Sequence, residues 1–211
     1  MLYRPFASIK ENQGMTKDKD KENASSHHQV GTADRPKVLV IYAHPDPDHS
    51  LANRLLIERI IALPHVEVLD LYATYPDFFI DVNQEHQRLL EVDVIVFQHP
   101  LYMYSCPALL KEWIDKVLGK GFAFGPESAL QGKCWRSVIT TGGHREAFSA
   151  EGYNRYPLSA ILQPFELTAA LCRMRWIDPL VMYWARHISD AERRQHADQY
   201  VAWLEGLRHD D

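Results

Sequence analysis

Residues 94–124 read VIVFQHPLYMYSCPALLKEWIDKVLGKGFAF, and their interpretation decides the fold. Val94, Ile95, Val96 and Phe97 form an unbroken apolar run, the pattern of a strand buried on both faces. The chain turns at Gln98, His99 and Pro100, then shows Leu101, Tyr102, Met103 and Tyr104 in a loop. At Pro107 an amphipathic helix begins, with Ala108, Leu109, Trp113, Ile114, Val117 and Leu118 at helical spacing. A strand, a loop of flat side chains and a proline-started helix build a pocket at the carboxyl end of a strand in an open α/β sheet.

The same alternation extends in both directions. Residues 37–42 (KVLVIY) predict a strand, 43–49 a turn, and Ser50 a cap for a helix facing inward through Leu51, Leu55, Leu56, Ile60 and Ile61. Residues 66–69 predict a second strand, 72–82 an aromatic loop and 83–91 a polar helix. Past the Gly-rich connection at 119–133, residues 137–140 close another strand. A helix over 158–174, in which Pro164 is a point where a break is possible, leads to a last strand over 176–184, interrupted near Pro179. Ser189 caps a final helix over 190–207. Five apolar strands alternating with helices predict a doubly wound parallel sheet covered on both faces.

Residues 1–36 differ, since 10–36 offer almost nothing to bury and predict a disordered extension to a domain at 37–211. Met15 offers an alternative start, which would make residues 1–14 a gene-start artefact. The 211 residues are 46% hydrophobic and carry a net charge of −5, so a general basic surface for nucleic acid is excluded. Three widely spaced cysteines form neither a disulfide framework nor a zinc pattern, which points to a reducing cytoplasm. No apolar run is long enough to cross a bilayer.

Three loops follow strand ends and converge on one sheet edge. The first (43–50) feeds a helix start whose amides suit a phosphate, with Ser50 and Asn53 as side-chain donors. The second (100–104) offers surface to a flat ring. The third ends in Gly142 and Gly143, whose missing side chains let backbone amides approach a ring edge. Phosphate at one end and planar ring at the other describe flavin mononucleotide (FMN). The alternative is a set of ordinary loops at the top of the sheet. His44, Asp46, Asp48 and His49 carry metal-ligating atoms, and Ala43-His44-Pro45-Asp46 after a strand resembles the zinc-dependent deacetylases. Those use a second adjacent carboxylate, where this chain has Pro47, and a later His-x-x-His, which it lacks, so no metal is assigned. Cys106 is either an inert packed thiol or an electrophile sensor.

The segments Tyr42-Ala43-His44-Pro45, Ser50-Leu51-Ala52-Asn53, Phe97-Gln98-His99-Pro100-Leu101, 107–113 (PALLKEW) and Thr140-Thr141-Gly142-Gly143 resemble the flavodoxin-like NAD(P)H:quinone oxidoreductases. Residues 75–81 (YPDFFID), Tyr104-Ser105-Cys106-Pro107, Asn154-Arg155-Tyr156-Pro157 and Tyr183-Trp184-Ala185-Arg186 most resemble the family's ancillary subunits of glutathione-gated potassium efflux systems. The resemblance implies strand order 2-1-3-4-5. It implies FMN held by His44, Ser50, Leu51, Ala52, Asn53, Pro100, Leu101, Tyr102, Met103, Thr140, Thr141, Gly142 and Gly143. It also implies NADH or NADPH as electron donor, a quinone as substrate, a homodimer, and docking on the cytoplasmic side of an inner-membrane potassium–proton antiporter. A tyrosine and a histidine of the quinone reductases fall on Phe148 and Asn154, and a substrate-facing tyrosine falls on Phe124. The substrate pocket thus keeps its shape and loses polar groups, so the resemblance implies a regulatory subunit with modest or no turnover, or a free-standing quinone reductase.

Overall fold

The computed structural model describes residues 35–209; the readings made for 1–34 lie outside them. Five strands, β1 (Val38–Tyr42), β2 (Val66–Asp70), β3 (Val94–Pro100), β4 (Cys134–Thr140) and β5 (Arg175–Met182), form one sheet. All pairs are parallel and the order is β2-β1-β3-β4-β5, as expected. After β2 the chain passes back across β1 to place β3, which creates the switch point between β1 and β3 where such sheets bind ligands.

Both faces are covered. Leu39, Ile41, Ile95, Phe97, Trp135 and Ile139 point to one side, under α2 (Leu71–Thr74), α3 (Val82–Leu90), α4 (Ala108–Val117) and α5 (Leu158–Leu171). Val38, Val40, Tyr42, Val94, Val96, Cys134 and Val138 point to the other, under α1 (Leu51–Ile60) and α6 (Asp190–Gly206). Strands enclosed this way need apolar residues at every position, hence the continuous runs. No helix among the described residues is long and apolar enough to cross a membrane.

Some local expectations are corrected. Helix α5 runs unbroken through Pro164. The bond that proline removes would end on Ala160 O; both residues are exposed, so water can serve that carbonyl. Strand β5 tolerates Pro179 because it is a sheet edge with one extra residue, its pairing moving from Arg136↔Ile177 to Val138↔Leu180. The Ser50 side chain makes no cap hydrogen bond to α1, whereas Ser189 closes a full capping box with Glu192 on α6.

Candidate functional site

The three loops meet at the carboxyl edge of β1, β3 and β4. In the first, Ala43 N–H donates to Gln98 O (3.0 Å), extending the β1–β3 pairing by one residue. His44 is buried, and its Nδ1 accepts from Asp46 N–H (3.1 Å), which leaves Nε2 to carry the proton of the neutral ring. Burial lowers its pKa, and the nearby Arg186 charge lowers it further. Asp46 and His49 pair with each other at the surface (2.7 Å). Among the described residues no three metal-ligating side chains gather.

Helix α1 starts its ladder with Arg54 N–H donating to Ser50 O (3.1 Å), so the amides of residues 51–53 lie ahead of the first intrahelical bond. With no side-chain cap on them, these donors and the helix dipole suit an anion. Leu51 is exposed, whereas Ala52 and Asn53 are buried. The Asn53 side chain, expected as a phosphate donor, is turned inward. Its Nδ2 donates inward to Thr140 Oγ1 (2.9 Å) and Ser50 Oγ (3.2 Å). Gln98 Nε2 donates to Asn53 O (3.1 Å), and Leu101 N–H donates to Thr140 O (2.8 Å). Buried Asn53 and Gln98 therefore tie all three loops together from beneath.

Pro100 ends β3 inside the sheet and Leu101 is half-buried. Tyr102 and Ser105 exchange backbone hydrogen bonds (3.1 and 2.9 Å) around Met103 (φ 46°) and Tyr104 (φ 63°). Two consecutive left-handed residues make this hairpin turn, a geometry that favours Asn-Gly and strains larger side chains. Met103 is 90% exposed, and Tyr102 and Tyr104 are exposed beside it. The Tyr102 ring meets the His44 ring edge-on at 6.1 Å, joining the first two loops at the surface.

In the third loop Thr140 and Thr141 are buried and Gly142 is exposed. A Cβ on Gly142 would meet nothing within 4 Å, so its absence keeps the ledge bare, while one on Gly143 would stand 2.4 Å from Tyr153 Oη. The segment after β5 backs this loop: Trp184 N–H donates to Gly143 O and Ala185 N–H to Thr141 O (both 2.9 Å). Phe148, buried, packs behind it against Tyr183 at 5.7 Å between ring centres. Asn154 reaches the rim, its Oδ1 accepting from Tyr104 Oη (3.2 Å). Phe124, half-buried, closes the turn after α4 and packs on the core of that face. Cys106 is buried and its pKa is raised by that burial, which favours the packed thiol over a sensor.

Sequence reasoning missed Gln98 as a tie and the Tyr183–Arg186 segment as the backing of loop three. The signal for Gln98 was a polar residue inside an otherwise apolar strand. Of two sizeable cavities, one of ≈ 850 Å³ lies at the opposite sheet edge beside Lys133 and Arg175, and the other, of ≈ 620 Å³, runs along β5 beside Trp176 and His196 and is lined by Phe148 and Tyr183 behind the third loop. Uncapped amides at one end, a bare ledge in the middle and an open glycine at the other fit a ligand with an anionic tail and a flat head.

Residues 36–204 match the family model of the flavodoxin-like fold. The chain is 58% identical over 171 residues to the glutathione-regulated potassium-efflux system ancillary protein KefG of Yersinia pseudotuberculosis, covering 81% of this chain and 94% of that protein. Among solved structures it resembles general stress protein 14 of Treponema denticola in complex with FMN (33% identity, TM-score 0.76, 82% of this chain and 100% of that one). It also resembles an NADPH-quinone reductase from P. pentosaceus (29% identity, TM-score 0.75, 81% and 99%). The chain belongs to the flavodoxin-like NAD(P)H:quinone oxidoreductase family, in the branch of the KefG proteins.

Proposed function

We propose that this chain is an FMN-binding ancillary subunit of a potassium–proton efflux antiporter, seated as a homodimer on the cytoplasmic side of the inner membrane. The observation that carries the reading is the 58% identity to a KefG protein along 94% of its length. Within the 37–211 domain, the amides of residues 51–53 and Ser50 Oγ would hold the phosphate. His44 Nε2–H would donate to the cofactor's polar groups. The 100–103 segment would support the ring, and Thr140, Thr141, Gly142 and Gly143 would line its edge. The bound flavin would supply two-electron transfer from NADH or NADPH to a quinone. Phe148 offers no proton donor at the ring, and Asn154 is already engaged by Tyr104, so the chain's own residues position the cofactor more than they assist turnover. The exposed Leu167 and Leu171 on α5, in line with Ala160 and Pro164 at helical spacing, support self-association.

The test is potassium efflux from cells or vesicles containing the antiporter, with and without this protein. Flux should rise with it, and unchanged flux overturns the reading. A second reading, a free-standing quinone reductase, is favoured by the likeness to the NADPH-quinone reductase. NAD(P)H oxidation with a soluble quinone separates the two: turnover of about 10 per second or faster places the protein among ordinary enzymes.

A further inference from the structure

Between β2 and α3 the chain displays two adjacent aromatic residues to solvent. Phe79 is 81% exposed and Phe78 40% exposed. Phe78 sits at φ 64°, a left-handed conformation that glycine or asparagine would adopt with less strain. The turn is held firmly in spite of this. Phe78 N–H donates to Tyr75 O (3.0 Å), and the Asp77 side chain accepts from Phe79 N–H (3.0 Å). Beneath it Glu85, fully buried, accepts from Tyr75 Oη (2.6 Å) and Trp113 Nε1 (2.9 Å), with the Arg88 guanidinium beside it (3.4 Å). Phe78 also meets the Tyr72 ring edge-on (6.1 Å), and Tyr72 Oη accepts from Leu109 N–H at the start of α4.

The exposed rim of the turn is acidic, since the nearby Arg88 guanidinium is paired with Glu67 and with buried Glu85. Between Arg59 and Arg88 the sequence holds no lysine or arginine. Asp77 and Asp81, both exposed, flank the two phenylalanines. On neighbouring α4, Lys111 pairs with Asp115 and Lys116 with Glu112, so those cations are balanced within their own helix. We propose that the 77–81 turn is a docking prong for a protein partner whose surface offers an apolar cleft between basic side chains. A second copy meeting this patch with its own would set carboxylate against carboxylate. A lipid surface rich in anionic headgroups would repel it. A basic protein cleft satisfies both the rings and the rim.

The proposal rests on the ancillary-subunit reading for its probe, and the test keeps the two apart. Full-length protein is cosedimented with membrane vesicles carrying a glutathione-gated potassium–proton antiporter, and with vesicles lacking it. Phe79→Ser, at an exposed position, should leave the melting temperature and FMN binding unchanged and weaken antiporter-dependent sedimentation by about tenfold or more. Asp77→Asn/Asp81→Asn, which keeps both backbone acceptors, should weaken it roughly threefold and flatten its dependence on salt. Equal binding by wild type and Phe79→Ser overturns the prong and leaves the ancillary reading standing. Absence of wild-type binding overturns both. Equal binding to vesicles without antiporter, no effect of the double substitution, or a change in oligomeric state on Phe79→Ser also overturns the proposal, in favour of lipid, an uncharged cleft and a second copy respectively.

Discussion

Two of the turns that hold exposed aromatic residues in left-handed backbone, Tyr102–Ser105 and 77–79, are braced by different chemistry. The Tyr102–Ser105 turn leaves a strand end held by neutral groups: the amides of Asn53 and Gln98, the hydroxyl of Thr140 and the imidazole of His99. The 77–79 turn lies over a carboxylate, Glu85, ringed by a phenol, an indole and a guanidinium. Neutral hydrogen bonds tolerate the loss of a member better than a buried charged cluster does, because the groups left behind are less costly to strand. The ledge should therefore be adjustable, and the prong all-or-none.

The sharpest way to break that contrast is Glu85→Ala. It strands Tyr75 Oη and Trp113 Nε1 without an acceptor, Trp113 being wholly buried, and should cost about 3–5 kcal/mol in urea unfolding. Asn53→Ala at the neutral hub should cost only about 1–2 kcal/mol while weakening FMN binding. Equal losses at the two sites would erase the distinction between the two braces.

Acid should act on the ledge. His99 is fully buried, its Nδ1 lying 2.9 Å from Pro100 O, and desolvation lowers its pKa from 6.5 to about 4. His44 is lowered in the same direction by burial and by Arg186. In both, the folded state favours the neutral ring. Below pH 6.5 the unfolded chain binds more protons, so stability present above that pH erodes as pH falls. For His99 the loss should approach about 3 kcal/mol near pH 4. Chemical denaturation from pH 7 to 4 should show the slope, and His99→Gln should flatten it. A slope unchanged by that substitution would place the acid sensitivity elsewhere.

The sheet was legible because burial on both faces imposes apolar runs that few other structures produce. Residues 94–97 alone carried most of that information. The site was legible as a set of loops and much less so as side chains. Asn53 looked like a phosphate donor from its place in a helix start, yet its direction is set by Thr140, 87 positions away in sequence, which no local pattern encodes. Ser50 failed as a cap for the same reason, its oxygen accepting from Asn53 instead. The strain at Met103, Tyr104 and Phe78 had no forecast in composition, since none is a residue type that invites a left-handed turn.

That strain supplies the smallest effect and ties the two turns together. Met103→Asn/Tyr104→Gly gives the hairpin the residue types its backbone favours, and strain relief should exceed the added freedom of glycine in the unfolded chain, for a net gain of about 1 kcal/mol. Phe78→Asn should gain a similar amount, less whatever the edge-on contact with Tyr72 contributes. Both gains are expected in thermal melts of the cofactor-free protein. With FMN in excess the first variant should lose its advantage, because the ring it would support has lost its ledge, and the second should keep it. A stabilised ledge variant that still gains fully from FMN would mean that Met103 and Tyr104 hold their strained backbone for some purpose other than the flavin.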